Sequence, residues 1–169
     1  MSTIKYPADV MEEVLPPQTA DGARFEPVRV RQFTVFLENK VGRLQMMLRT
    51  LEQGHGHIAA LSIEESADSA LVRMICSNPD ASGAMLREAG FTYGESDLLV
   101  VELPKRSRQP LIAICTALLA AEINIHYAYP LLLGASGPAM ALYVDDPTLA
   151  SQLLIRKGFT LIAESDLRR

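Results

Sequence analysis

Two short stretches hold the side chains best suited to chemistry. In LENKVGRL, residues 37–44, an apolar strand ends in Glu38-Asn39-Lys40 and a helix restarts on Gly42. Asn39 offers a donor and an acceptor together. A glycine there serves one of two needs: a sharp turn, or a ligand's close approach to the backbone. In NIHYAY, residues 124–129, an amide, an imidazole and two phenols follow one another closely. Tyrosines with an apolar body and a polar tip suit a pocket wall and a half-buried sheet face equally well.

Other arrangements lead nowhere. His55 and His57 stand two apart in HGH, with Cys76, Cys115 and His126 scattered elsewhere, whereas zinc sites want three or four closely spaced ligands. No metal or cofactor is expected. No phosphate loop, no strand–GxGxxG–helix unit and no Ser/His/Asp order is found. The acid pairs Glu64-Glu65 and Asp145-Asp146 fall at strand ends and read as solvated turns. Nothing assembles a catalytic group with its orienting partner, so no catalytic residue is assigned. The formal charge is −4, and the one dense basic run is KRSR at 105–108, which argues against nucleic acid as a partner. The N-terminus has no signal-like apolar core, and no apolar run approaches the ~20 residues of a membrane span. A cytoplasmic, membrane-free protein is expected, its two cysteines acting as small apolar side chains.

The elements that must position these residues follow from periodicity. Residues 1–27 carry Pro7, Pro16, Pro17, Gly22 and Pro27 and read as an arm, with a helical turn near ADVMEEVL. From Val28, VRVRQFTVFL reads as a strand. Leu44, Met47, Leu48 and Leu51 then mark one helix face, with Gly54 as its stop. HIAALSIEE and SALVRMICS are strands joined by SADS. PDASGAMLREAG is a helix with Pro79 in its first turn, and FTYGES is a closing strand. The order β-α-β-β-α-β then recurs. LLVVELP is a strand, PLIAICTALLAAE a helix with Leu111, Ile114, Leu118 and Leu119 inward, and INIHYAYPLLL and PAMALYVDD are strands. PTLASQLLIRKG is a helix with Leu149, Ala150, Leu153 and Leu154 inward, and FTLIAES closes the set. Leu44 and Leu111 lie 67 residues apart, and Gly90-Phe91-Thr92 matches Gly158-Phe159-Thr160 at an offset of 68. This is an internal duplication, dividing the chain into an arm (1–27), a first repeat (28–96) and a second (97–169). Each repeat reads as an α+β, ferredoxin-like βαββαβ unit, its antiparallel sheet covered by helices on one face. Units of about 70 residues bury thin cores and leave sheet edges that invite pairing.

FTVFLENKVGRLQMMLRTLEQGHGHI resembles the opening of an ACT domain: a strand, an Asn-x-x-Gly-x-Leu turn, a helix, and a second strand that begins Asn-Ile in the pattern. VVELPKRSRQPLIAICTALLAAEINI is similar to the same opening in a second copy. The resemblance covers about residues 29–167 and implies a stand-alone ACT pair, the repeats side by side, with no catalytic domain. It also implies a non-catalytic regulatory protein, a homodimer, binding an amino acid between paired domains. The loop after one domain's first strand would face the second strand of its partner. A regulatory subunit of a biosynthetic enzyme such as acetolactate synthase is the alternative.

Physical reasoning fits that expectation. An amino acid's carboxylate needs donors, and a helix N-terminus supplies unpaired N–H groups with a favourable dipole. Edge-strand carbonyls accept from its ammonium. The plainer alternative is that Gly42 only shapes the turn and Asn39 only caps the helix. The second copy departs from the pattern. Gln109 stands where Gly42 does in the first, and Pro110 has no N–H. The first copy in turn has His57 where the second has Asn124. One competent site per chain is therefore expected, joining Asn39, Lys40, Val41, Gly42, Arg43 and Leu44 to Asn124, Ile125, His126 and Tyr127. The reciprocal site, loop 105–110 with His57, would be degenerate. Alternation places Ile125, Tyr127 and Tyr129 on one face and Asn124 and His126 on the other. Arg43 either holds a ligand's side chain or is a solvated first-turn residue, the second being the plainer reading.

Overall fold

The β-branched and aromatic run from Val30 cannot satisfy its backbone alone, and it finds partners on both sides. The computed structural model describes residues 28–53, 57–65, 69–105, 107–132 and 137–168. The expected arm (1–27), the Gly54 stop, His55 and most of the SADS turn lie outside the described residues. Strand β1 (Val30–Glu38) is followed by α1 (Arg43–Glu52), β2 (Ile58–Glu65), β3 (Ser69–Cys76), α2 (Pro79–Glu88) and β4 (Thr92–Glu102). Then come α3 (Pro110–Leu119), β5 (Ile125–Pro130), β6 (Ala139–Val144), α4 (Pro147–Arg156) and a 3-10 helix, Glu164–Leu167. The strands form one antiparallel sheet of six, in the order β2-β3-β1-β4-β6-β5.

The two repeats share β4. Its first part, Thr92–Leu98, pairs with β1 and completes the first repeat, while Leu99–Glu102 pairs with β6 and opens the second. The division drawn at 96/97 therefore falls inside a continuous strand. This sharing also explains a correction. FTLIAES was expected to be a full strand, but extended pairing lasts only from Thr160 to Ile162. Glu102 N–H donates to the Thr160 carbonyl, Leu161 bridges Val101, and Ile162 N–H donates to the Val100 carbonyl. Two residues further on, Glu164 would fall opposite Leu98, whose flank is already taken by Val30. The chain turns away there into the 3-10 helix, and Leu167 drops into the core.

Alternation gives the sheet two buried faces. Phe33, Val35 and Leu37 join Val72, Met74, Met47, Leu51 and Leu86 beneath α1 and α2. Leu99, Val101, Leu142 and Val144 join Ile114, Leu118 and Leu154 beneath α3 and α4. Fully buried side chains such as Phe33 and Leu154 contribute about 1.5–3 kcal/mol each. The face away from the helices curls onto itself, enclosing Val30, Ile75, Leu98, Val100, Tyr129, Ala141 and Leu167. The curl brings the outer strands together: Ala60 bridges Leu131, and Leu132 N–H donates to the Ala59 carbonyl at 2.7 Å.

Simple alternation fails in β5. Ile125 faces Val144 and Tyr127 faces Tyr143, so His126 is an extra, bulged residue. Ile125 consequently packs beneath the helices, while Tyr127 and Tyr129 face the enclosed side. β2 has the same irregularity at the matching place, Ala59 standing between Ile58 and Ala60. Two expected inward residues of α3 also point out: Leu111 and Leu119 are exposed, and only Ile114 and Leu118 of the four are buried. In α4, Ala150 and Leu154 are buried, while Leu149 is exposed.

Candidate functional site

The turn between β1 and α1 is built by its own backbone. Lys40 N–H donates to the Glu38 carbonyl, and Arg43 N–H to that of Lys40. Gly42 closes the turn at φ +88°, a left-handed conformation that L side chains resist. A Cβ built on it would meet nothing within 4 Å, so the space above it is open. The turn requirement for glycine is therefore real, and the approach to the backbone is also clear.

No side chain caps α1 and no acid stands in its first turn. The contrast within the molecule is sharp. Asn78 accepts from Ala81 N–H at the start of α2, and Asp146 accepts from Leu149 N–H at the start of α4. Asn39 does something else: its Nδ2 donates to Glu65 Oε1 at 2.7 Å, joining the loop to the end of β2. The capping alternative for Asn39 is thus excluded.

Beside this turn lies a cavity of about 230 Å³, lined by Leu37, Lys40, Leu44, Ile63 and Val72 with Asn39, Arg43 and Glu65 at its polar side. Drug-sized ligands need ~300–1,000 Å³, so this space suits a smaller solute. Arg43 is half-buried, not simply solvated. Its guanidinium lies 5.7 Å from the centre of the Phe91 ring, and its buried Nε finds no hydrogen-bond partner among the described residues. Lys40 is engaged with Glu38 at 2.7 Å, and it holds that carboxyl below the ordinary range. Val41 projects from the tip of the loop, fully exposed.

The expected strand residues stand elsewhere. Asn124 and Ile125 line a second cavity, against α3. His126 is exposed and packs against Tyr143. Tyr127 faces the enclosed side of the sheet. The loop and Tyr127 are nevertheless linked through β2 and β3. Next to Glu65, Glu64 pairs with Arg73 at 2.7 Å, and the Arg73 guanidinium lies 4.4 Å from the centre of the Tyr127 ring. Tyr127 OH then accepts from Gln32 Nε2 at 2.8 Å, and Tyr129 OH donates to Gln32 Oε1 at 2.7 Å. Sequence reasoning missed Glu65 and Arg73 as members of this array, because their partners are set by sheet register and not by neighbours in the chain. The equivalent loop of the second repeat opens a different cavity, about 340 Å³, lined by Glu102 to Lys105 with Gly158, Phe159 and Thr160; His57 is not part of it.

The model of the ACT domain pair matches residues 28–169. The chain belongs to the ACT domain pair family. The solved structures agree. Protein BT0572 from Bacteroides thetaiotaomicron is 27% identical, with a TM-score of 0.76 over 85% of this chain and 98% of that one. The ligand-free regulatory subunit of aspartate kinase from Thermus thermophilus gives 0.55 at 6% identity, covering 78% and 93%. A structure of aspartokinase alpha and beta subunits gives 0.51 at 16%, covering 79% and 94%. The last two show a shared fold. No curated protein matches the chain in sequence. An ACT domain pair points to regulation by small-molecule binding in preference to catalysis. Among the described residues no helix is long and apolar enough to cross a membrane, and no group of three His, Cys, Asp or Glu side chains could hold a metal ion.

Proposed function

We propose that this ACT pair is a non-catalytic sensor of a free amino acid, bound in the cavity beside Asn39–Leu44. The observation that carries the reading is the pairing of opposite needs across that small space. On one side stand the uncapped start of α1 and the Arg43 guanidinium. On the other stands Glu65, which among the described residues accepts only from the neutral amide of Asn39. A zwitterion answers both: its carboxylate takes the helix N–H groups and Arg43, and its ammonium takes Glu65. Leu37, Ile63 and Val72 offer an apolar wall to its side chain.

An ammonium at Glu65 competes with Asn39 and pulls on the end of β2. From there Glu64, Arg73, Tyr127 and Gln32 lead to the seam between the repeats. In this reading Tyr127 carries the signal, and Asn124 and Ile125 line the second repeat's own groove, with His126 outside it against Tyr143. Coupling of ~1–3 kcal/mol is typical of such switches.

A thermal-shift screen of the full chain against the twenty amino acids tests the reading. Binding at 100 times Kd stabilises by about 2.7 kcal/mol, so one amino acid, or a related few, should raise Tm by several degrees. The shift should vanish in Arg43→Met and Glu65→Gln. No shift with any amino acid refutes it. A regulatory subunit acting on a biosynthetic enzyme is the second reading, favoured by the fold shared with the aspartate kinase regulatory subunit. A pull-down whose captured enzyme changes with the effector supports it, and an effector-independent outcome removes it.

A further inference from the structure

Helix α3 is anomalous for a helix at the surface. Its ten residues, Pro110–Leu119, carry no charge. Surface helices of globular proteins place charged and polar residues opposite their buried stripe, and α1, the same element of the first repeat, does so with Gln45, Arg49 and Glu52. In α3 the outward face is instead the uncharged set Leu111, Ile112, Cys115, Thr116 and Leu119. Leu111 is 49% exposed, Ile112 58% and Leu119 74%. Together with Asn124 these side chains border an apolar groove of about 440 Å³. Contiguous apolar surface of this kind marks a contact site.

We infer that this face is the contact between two copies of the chain, α3 packing antiparallel on α3 across a two-fold axis. In a two-fold contact each side chain on the axis meets itself. A charged face would meet its own charge there and be repelled, whereas an uncharged face is complementary to itself. The remaining helices α1, α2 and α4 each carry charge and are less suited to this role. Cys115 stands midway along the face, between Leu111 and Leu119, so an antiparallel pairing brings the two Cys115 thiols near the axis. Cys115 is exposed and Cys76 buried, so thiol chemistry reads out this position alone. The inference specifies the surface used by a homodimer and is independent of which effector, if any, the loop cavity holds.

Sedimentation of the full chain at micromolar concentration, with Ile112→Arg and Leu119→Arg beside it, is the test. The wild type should be a dimer, and each variant should weaken self-association at least tenfold while keeping its far-UV circular dichroism, because both side chains already face solvent. A short bismaleimide should link wild-type chains into covalent dimers, and Cys115→Ser should abolish the link. A monomeric wild type overturns the inference, and so does occupation of the groove by residues 1–27 or by another protein, which predicts such a monomer. A dimer indifferent to both arginines also overturns it. A dimer broken by the arginines but never cross-linked overturns the antiparallel placement. Loss of amino-acid binding with the dimer intact would refute only the sensor reading.

Discussion

At Gly42 the backbone φ of +88° sets what a substitution can reveal. Alanine fits the open space but not the conformation, so Gly42→Ala should cost about 1–2 kcal/mol, read as a lower urea midpoint at unchanged slope. Ligand binding lost in a bulkier Gly42 variant would mix that strain with a blocked approach. Glu65 and Arg43 are the cleaner probes. A second residue-scale expectation concerns Tyr129. Burial, and then the neighbouring Tyr127, push its phenol above the ordinary range. A group whose folded pKa is raised contributes stability present below its unfolded value, near 10, and lost as pH rises beyond it. Alkaline unfolding should therefore begin near pH ~10 and weaken in slope in Tyr129→Phe. The same variant leaves Gln32 Oε1 without its donor inside the core, so at neutral pH it should be destabilised by ~1–3 kcal/mol. The loop was legible at this scale because its residues are adjacent in sequence. Glu65 was not legible as their partner: Asn39 and Glu65 are 26 residues apart, and only the register of β1, β3 and β2 brings them together.

Among the elements, local signals read through wherever one residue decides the geometry. Pro79 and Pro147 open α2 and α4 at the expected positions. Gly90 and Gly158 end them with positive φ. The caps Asn78 and Asp146 complete these helix starts, and Asn78→Ala or Asp146→Ala should each cost ~1 kcal/mol in chemical denaturation. Three features were not legible, each for a physical reason. The bulges at Ala59 and His126 leave no local mark, since only the partner strand shows that two residues oppose one. The last strand of the second repeat has strand-like composition but loses its pairing site to β1. The buried face of α3 could not be chosen by periodicity, because nearly all of its residues are apolar. The same property that hid its orientation marks it as a contact surface.

For the whole molecule, duplication predicted two ferredoxin-like units, and the sheet shows how they fuse: one strand serves both, and the sheet curls until β2 meets β5. Among the described residues that closure consists of one bridge and the Leu132–Ala59 hydrogen bond, supported by Arg73 over Tyr127. It is the part of the fold best placed to respond to a ligand at the end of β2. Replacing Arg73 with methionine keeps much of the side-chain volume but removes both the Glu64 pair and the cation over Tyr127. Hydrogen exchange at Leu132 should then accelerate, with little change in β1 and β4. Unaltered exchange at Leu132 would deny that these contacts hold the seam. The first repeat's loop cavity is proposed to hold an amino-acid zwitterion. Calorimetric titration of the full chain with each amino acid in turn, repeated with Glu65→Gln and with the N-acetyl derivative of any that binds, tests it most directly. One molecule should bind saturably per chain, weakened at least tenfold by either change. Undiminished binding in Glu65→Gln, or no heat with any amino acid, would contradict it.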